Sequence, residues 1–199
     1  MTICAVSELK FVVYFNRSSL ITQEFILEIT LIALSMISFD EISQSSKYRQ
    51  LINRYDQVAF YRSSGATEAT LDLIRLNPKS YGAIVEDVVL NRFGIRHTLC
   101  TEQDGAFEGT MIEVKGPRLT AKGDFFVQHL KPTHNYDVIL VAVLEPTGSL
   151  TVRAIEKWQA LRFAKKQGSE GFIVKGKTIV EYGRIVTSAD DLRAFIQCS

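Results

Sequence analysis

Cysteine and histidine are scarce in this 199-residue sequence, with three residues of each. Cys4, Cys100 and Cys198 lie far apart and form no CxxC pair, so neither a disulfide framework nor a zinc-finger site organises the chain. A reducing, cytoplasmic setting is the simplest location for such a sequence. The sequence also has no P-loop, no GxGxxG and no Ser-His-Asp order. Nucleotide hydrolysis, dinucleotide binding and acyl transfer are therefore left without support.

Long hydrophobic runs are missing as well. The most apolar stretch, residues 25–39, contains the charged Glu28. It is 15 residues long, which falls short of the ~20 that a membrane-spanning helix needs. We therefore expect a buried or interfacial helix there and no membrane partner. Residues 1–16 include Glu8 and Lys10 and have no clear cleavage site, so we expect no signal peptide.

Neither sign of charge dominates the chain, because 23 lysines and arginines face 22 aspartates and glutamates. With 46 % hydrophobic residues the composition is that of an ordinary globular protein. The charge is uneven along the sequence, with a net −1 over residues 1–50, −3 over 51–114 and +5 over 115–199. This asymmetry suits a metal-dependent phosphodiesterase, in which carboxylates hold a cation and basic residues hold phosphates. Ordinary solvated faces would give the same pattern.

Hydrophobic periodicity and turn residues predict an α/β fold. The predicted helices cover residues 20–39, 40–57, 66–76, 81–93, 120–130 and 156–166, with a last helix capped by Ser188. The predicted strands cover residues 97–101, 110–115, 137–144 and 150–155, followed by a hairpin around 175–177. This order predicts a mixed β-sheet with helices on both faces.

A group of acidic residues and one lysine carries the chemistry. Asp104 lies at a turn before a strand, and Glu113 and Lys115 are two apart on the next strand, so both project from one face. Carboxylates from two adjoining segments suit Mg²⁺, which takes one or two protein carboxylates together with water and phosphate oxygens. Lys115 would then orient a nucleophile or offset charge in the transition state. Glu86, on the preceding helix, is placed to reach the same cation.

Each of these residues taken alone has an ordinary interpretation, as a surface ion pair, a turn or a solvated helix position. Taken together and in this order, they resemble a known family. The stretches YGAIVEDVVLNRFGI, QDGAFEGTMIEVKGPR and FFVQHLKPTHNYDVILVAV resemble the PD-(D/E)xK nuclease superfamily, and within it the small type II restriction endonucleases. The resemblance covers roughly residues 80–158.

The resemblance implies a restriction-endonuclease-like fold, in which a mixed central β-sheet is flanked by α-helices. It implies a nuclease core over residues 61–199 and leaves residues 1–60 as an N-terminal helical region for dimerisation or DNA recognition. It also implies roles for single residues. Asp104, Glu113 and Lys115 would be catalytic and Glu86 would be the accessory acid. Gln128, on a helix after the strand with Glu113, would lie near the active site and the DNA backbone.

The implied cofactor is Mg²⁺, for which Mn²⁺ can substitute. Its implied ligands come from Asp104, Glu113, Val114 and Glu86. The predicted DNA contacts come from the basic stretch that follows, namely Arg118, Lys122, Lys131 and His129.

These features predict a Mg²⁺-dependent endodeoxyribonuclease that hydrolyses double-stranded DNA in the manner of a type II restriction enzyme. One active site cuts one strand, so we expect a homodimer. A cognate DNA methyltransferase would be a separate chain. Two alternatives stay open: a DNA-repair or junction-resolving nuclease with the same site, and a non-catalytic DNA-binding module.

Overall fold

A computed structural model of the chain describes residues 56–169 and 171–198. These residues belong to one compact unit, Gln50–Ser199. The predicted helix over 20–39 and almost all of the one over 40–57 lie outside the described residues, as does nearly all of the N-terminal region 1–60. Within the part of the chain that the structure describes, no helix is long and apolar enough to cross a membrane.

Helices and strands alternate through most of the described chain. After a helical segment over residues 56–63, the helices are α1 (Glu68–Arg75), α2 (Pro78–Phe93), α3 (Lys157–Arg162), α4 (Gly176–Tyr182) and α5 (Ala189–Gln197). The strands are β1 (Arg96–His97), β2 (Gly105–Phe107), β3 (Thr110–Lys115), β4 (Phe126–Leu130), β5 (Val138–Leu144), β6 (Leu150–Glu156), β7 (Lys165–Lys166), β8 (Phe172–Lys175) and β9 (Arg184–Ile185).

The strands form two sheets. The larger sheet has the order β1-β2-β3-β5-β6-β9 and the smaller one has the order β4-β8-β7. In the larger sheet β3 and β5 are parallel, with Glu113 opposite Ile139, and every other neighbouring pair is antiparallel. The central sheet is therefore mixed. The connection between β3 and β5 contains β4, which belongs to the smaller sheet.

The helix before the first strand is defined at both ends by its own sequence. The side chain of Asn77 accepts a hydrogen bond from the backbone N–H of Ser80, and Pro78 occupies the first turn, where a missing N–H costs nothing. Gly94 ends the helix in the left-handed conformation, with φ of 64°, which glycine adopts without steric cost. The predicted helix over 81–93 is confirmed, but it begins earlier and Asn77, rather than Ser80, is its cap.

Strand β5 forms the centre of the core. All seven of its residues are buried, and successive side chains of a strand point to opposite faces, so both faces of the sheet are covered. Helix α2 packs on β3, and α3 and α4 pack on β6. The structure thus confirms a mixed α/β architecture with a mixed central sheet flanked by helices.

A buried tyrosine ties the helical segment over 56–63 to the end of β5. The Tyr61 hydroxyl donates to the carbonyl of Leu144 at 2.5 Å and accepts from the backbone N–H of Leu119 at 3.2 Å. Burial raises the pKa of Tyr61 to about 12, so the hydroxyl keeps the proton that it donates. This contact links the loop after β3 to the core.

The predicted helix over 120–130 is wrong. Gly123 adopts a positive φ of 73° inside a turn in which the N–H of Thr120 donates to the carbonyl of Asp124. The residues that follow, Phe126 and Val127, favour a strand, and they form β4 opposite β8. The short helical period predicts a helix, but the aromatic and β-branched residues of this segment complete a sheet.

Two further predictions near the C-terminus need correction. The predicted hairpin around 175–177 is a strand-to-helix junction, because Lys175 ends β8 and Gly176 begins α4. A side chain on Gly176 would lie 2.8 Å from the carbonyl oxygen of Phe125, so glycine is needed there for close packing and not for a turn. The predicted helix over 156–166 ends at Arg162, and β7 follows it.

Candidate active site

Asp104 stands immediately before β2 and is held from both its backbone and its side chain. Its N–H donates to the carbonyl of Ile112 at 3.0 Å, and its carbonyl accepts from the N–H of Thr98 at 3.1 Å. Its Oδ2 accepts a hydrogen bond of 2.7 Å from the N–H of Val114. The β2–β3 pairing begins at Gly105 opposite Ile112, and the bond from Val114 holds the Asp104 carboxylate beside β3, close enough for its charge to raise the pKa of Glu113.

Glu113 and Lys115 form a close ion pair on β3. Lys115 Nζ lies 2.5 Å from Glu113 Oε1, and the side chains are 24 % and 10 % exposed. The prediction that the two residues share one face of this strand is confirmed. Carboxylates are rarely so buried without a partner, and Lys115 is the partner here.

Glu86 approaches the same site from helix α2. Its Oε1 lies 3.6 Å from Nε2 of His97 in β1. Close packing of α2 on β3 makes this approach possible, because a Cβ on Gly116 would lie 2.9 Å from Cγ1 of Val85. No local pattern in the sequence indicates that His97 faces Glu86, because that contact joins a helix to the edge strand of the sheet.

Two carboxyl groups of this site, those of Glu113 and Glu86, have a raised pKa. Burial is the largest cause of the raised pKa of Glu113, and the charge of Asp104 adds to it, while Lys115 lowers it in part. Burial is also the largest cause of the raised pKa of Glu86. The charge of Asp104 raises this pKa further, and the charge of Glu113 raises it by a smaller amount. Three carboxylates, those of Asp104, Glu113 and Glu86, thus interact with one lysine, Lys115, which is an arrangement that a bound cation would stabilise.

A second group of residues faces Glu113 from the chain before β5. The charge of His134 lowers the pKa of Glu113, and burial together with the charge of Glu113 raises the pKa of Tyr136 to about 12. Lys157 Nζ lies 4.6 Å from the centre of the Tyr136 ring and donates to the carbonyl of His134. The resemblance identifies Tyr136 only as a residue that precedes an apolar strand. The structure adds that Tyr136 is buried and that the charge of Glu113 acts on it.

The donor set fits a hard divalent cation with few protein ligands. Among residues 56–169 and 171–198, no three His, Cys, Asp or Glu side chains are close enough to hold one metal ion together. Asp104 and Glu113 supply two carboxylates from adjoining segments. The N–H and C=O of a strand residue point to the same edge of the strand, so the Val114 carbonyl lies on the edge of β3 from which its N–H reaches Asp104. Two carboxylates and a carbonyl suit Mg²⁺, which keeps several waters, and Glu86 would then act through water.

Gln128 lies on a strand and not on the helix that the resemblance implies. It is an exposed residue of strand β4 in the smaller sheet, because the segment after β3 forms a turn and a strand instead of a helix. The prediction that Gln128 lies on a helix is therefore wrong. Its proposed role at the active site stays a prediction.

The predicted DNA contacts differ in their surroundings. Arg118 is half-buried, its guanidinium lies 4.2 Å from the centre of the Tyr81 ring, and it donates to the carbonyl of Leu76 at 2.8 Å. These contacts give Arg118 a structural role beside helix α2. The other three predicted contacts are exposed, namely Lys122, His129 and Lys131.

Comparison with known proteins adds no family to this description. No protein-family model matches the chain, and no curated protein matches it. A functional conclusion therefore depends on the residues of the site.

Proposed function

We propose that the chain is a Mg²⁺-dependent endodeoxyribonuclease of the PD-(D/E)xK superfamily, with a restriction-endonuclease-like fold and double-stranded DNA as its substrate. The observation that carries the proposal is the convergence of Asp104, Glu113 and Lys115, joined by the bonds from Val114 to Asp104 and from Lys115 to Glu113. The fold supports it, because helix α2 leads into the antiparallel strands β1, β2 and β3, and β5 lies parallel to β3.

The residues divide the work of hydrolysis among them. Asp104, Glu113 and the Val114 carbonyl would hold the cation, which supplies Lewis-acid polarisation of the phosphate to be cleaved. Lys115 is placed to orient the attacking water and to offset negative charge as it develops. The water oxygen forms a bond to phosphorus while one phosphorus–oxygen ester bond breaks, and the leaving oxygen takes up a proton. Glu86 would be the accessory acid and would act on the bound cation through water.

Cutting both strands of a duplex requires two such sites, so we propose a homodimer as the active form. A DNA methyltransferase with the same recognition sequence would be a separate chain. The burial of Glu113 close to Asp104 supports catalysis over simple DNA binding, since a module that only binds phosphate gains nothing from a buried carboxylate.

The test is cleavage of supercoiled plasmid and of phage DNA in Mg²⁺ by the wild type and by Lys115→Ala. Lys79→Ala is the matched control, because Lys79 is an exposed lysine at the start of α2. We expect discrete fragments from the wild type and Lys79→Ala and none from Lys115→Ala. Equal cleavage by wild type and Lys115→Ala would contradict the proposed site.

If the wild type leaves intact DNA uncut, four-way junctions and branched duplexes are the next substrates. Cleavage of these alone, lost in Lys115→Ala, would show a junction-resolving or repair nuclease with the same site. Tight binding of duplex DNA without cleavage in either Mg²⁺ or Mn²⁺ would replace the enzyme proposal with a DNA-binding module.

A further inference from the structure

The smaller sheet presents one face to the core and the other to solvent. Val127 of β4 pairs with Val174 of β8, and both are buried. The neighbouring pair, Phe126 and Lys175, is exposed. Because side chains alternate along a strand, Ile173 shares the outward face with Lys175, and Lys165, which pairs with Ile173, lies there too. We call this the outer face, made of Phe126, Gln128, Lys165, Ile173 and Lys175.

The charge of this sheet has one sign. Strands β4, β7 and β8 together contain three lysines and no aspartate or glutamate. Two of the lysines, Lys165 and Lys175, belong to the outer face. They lie on neighbouring strands and two residues apart in register, which sets their Cα atoms about 8 Å apart from strand spacing and rise. Their long, flexible side chains suit neighbouring phosphates of one strand.

A β-bulge shapes the edge of the outer face. Gln128 and His129 of β4 together oppose Ile173, between the pairs Val127–Val174 and Leu130–Phe172. His129 has a positive φ of 59°, a conformation that few residues other than glycine adopt. Such bulges redirect side chains next to functional sites, and here the bulge leaves both Gln128 and His129 exposed.

The C-terminal end of β4, which follows Gln128 of the outer face, is joined by a short turn to a residue near Glu113. Leu130 ends β4, and a turn closed by the bond from the His134 N–H to the Lys131 carbonyl follows at once. His134 is close enough to Glu113 for its charge to lower the pKa of that residue. Four residues span at most about 14 Å, so the end of β4 lies within that reach of His134.

We propose that the outer face binds the sugar-phosphate backbone of duplex DNA beside the scissile bond. This inference rests on the proposed nuclease function and assigns the non-specific part of its substrate binding. Lys165 and Lys175 pair with phosphates, Gln128 donates a hydrogen bond to the backbone, and Phe126 and Ile173 pack against sugars. Phosphate contacts of this kind position the duplex without reading its sequence.

The test measures binding without cleavage, with a fluorescein-labelled duplex of about 30 base pairs in Ca²⁺, followed by anisotropy over a series of salt concentrations. The variant is Lys165→Gln/Lys175→Gln. The control is Lys79→Gln/Lys166→Gln, which removes the same charge. Lys166 pairs with Phe172 and points away from the outer face on the same strand, and Lys79 is exposed on α2.

We expect the slope of log Kd against log salt to fall by about 1.8 in the outer-face variant, because each phosphate contact contributes about 0.9. Binding near 0.1 M salt weakens on the order of tenfold or more, and the control keeps the wild-type slope. Equal slopes for the two double variants would overturn the inference, as would a wild type that binds no duplex. Thermal melts followed by circular dichroism show whether both variants stay folded.

Cleavage by the same proteins separates this inference from the proposed function. A wild type that cuts plasmid while the outer-face variant binds like the control would overturn the binding surface and leave the nuclease intact. A wild type that cuts neither intact nor branched DNA, with binding lost only in the outer-face variant, would support the surface and overturn the nuclease.

Discussion

The backbone N–H of Val114 donates a hydrogen bond of 2.7 Å to Oδ2 of Asp104. This bond joins the start of β2 to the strand that carries Glu113 and Lys115, so the Asp104 carboxylate is held at the site by the fold itself. A preorganised carboxylate needs little rearrangement to meet a cation or a developing charge. Only one of its two oxygens makes this bond.

Replacement of Asp104 by asparagine separates its structural role from its chemical role. Asparagine keeps an oxygen that accepts from Val114, so we expect Asp104→Asn to fold like the wild type, but it lacks the negative charge that a cation needs. Plasmid cleavage in Mg²⁺ should fall by at least about 10²-fold. Asp87→Asn, which removes an exposed carboxylate next to Glu86 on α2, should cut at the wild-type rate. Wild-type cleavage by Asp104→Asn would place the active site elsewhere.

Binding of Mg²⁺ should stabilise the folded protein through Glu113. A ligand at ten times its Kd adds about 1.4 kcal/mol to the free energy of unfolding, which corresponds to a rise of about 3–6 °C in Tm for a chain of this size. Melting curves with and without MgCl₂ measure this rise. Glu113→Gln should abolish it.

The matched control for that measurement is Glu102→Gln, because Glu102 is exposed and stands two residues before Asp104. Its loss changes the net charge by the same amount, so the Mg²⁺-dependent rise in Tm should persist. An undiminished rise in Glu113→Gln would show that the cation binds away from β3.

Stability in the absence of divalent cations should depend on pH through Glu86. Burial and the charges of Asp104 and Glu113 raise its pKa in the folded state, so the folded protein holds this proton more tightly than the unfolded chain does. Stability is therefore lost as the pH rises from the ordinary glutamate pKa through the raised one, and it stays lost above it. Glu86→Gln removes this loss, so it should be more stable than the wild type at pH 7 in EDTA.

Urea unfolding at several pH values checks the sign of this effect. The difference between Glu86→Gln and the wild type should narrow as the pH falls toward about 4.3, where an ordinary glutamate protonates. About 1 M salt should reduce the share of this stability difference that comes from neighbouring charges, and it should leave the share that comes from burial. A Glu86→Gln protein less stable than the wild type at pH 7 would mean that the contact with His97 outweighs burial and repulsion.

Local sequence patterns predicted the parts of the fold in which local preference and tertiary packing agree. The continuous apolar run over 137–144 became the fully buried β5, and the alternation over 110–115 became β3 with Glu113 and Lys115 on one face. The predicted helix over the segment with Gln128 was wrong because the strand that pairs with this segment, β8, lies more than 40 residues later in the chain. A period read from a few residues cannot include a partner at that distance.

The features of the candidate site also divide into those that local sequence predicts and those that depend on tertiary packing. Turn chemistry at Asp104 and the spacing of Glu113 and Lys115 are local, and both could be predicted. The contact of Glu86 with His97, and the burial of Tyr136 beside Glu113, depend on how α2 and the chain before β5 pack on the sheet. That packing is decided by side chains such as Val85 and by the space that Gly116 leaves for them.

Gly116 should therefore set the distance between α2 and the active site. A Cβ at this position would lie 2.9 Å from Cγ1 and 3.0 Å from Cβ of Val85, so Gly116→Ala forces α2 away from β3. Overpacking of this kind costs about 1–3 kcal/mol, or a fall of roughly 3–10 °C in Tm. Cleavage should fall as well, because Glu86 moves with the helix.

Two comparison variants make this prediction specific to the contact. Val85→Ala/Gly116→Ala removes the two Cγ atoms of Val85, which would lie 2.9 and 3.2 Å from the new Cβ, so part of the Tm lost in Gly116→Ala should return, although Val85→Ala alone destabilises the core. Gly82→Ala adds the same methyl group to α2 with nothing within 4 Å of it, and it should raise stability by about 0.5–1 kcal/mol, since alanine favours a helix over glycine. If Gly116→Ala melts at or above the wild-type temperature, α2 and β3 do not pack as closely as Glu86 requires in order to reach the site.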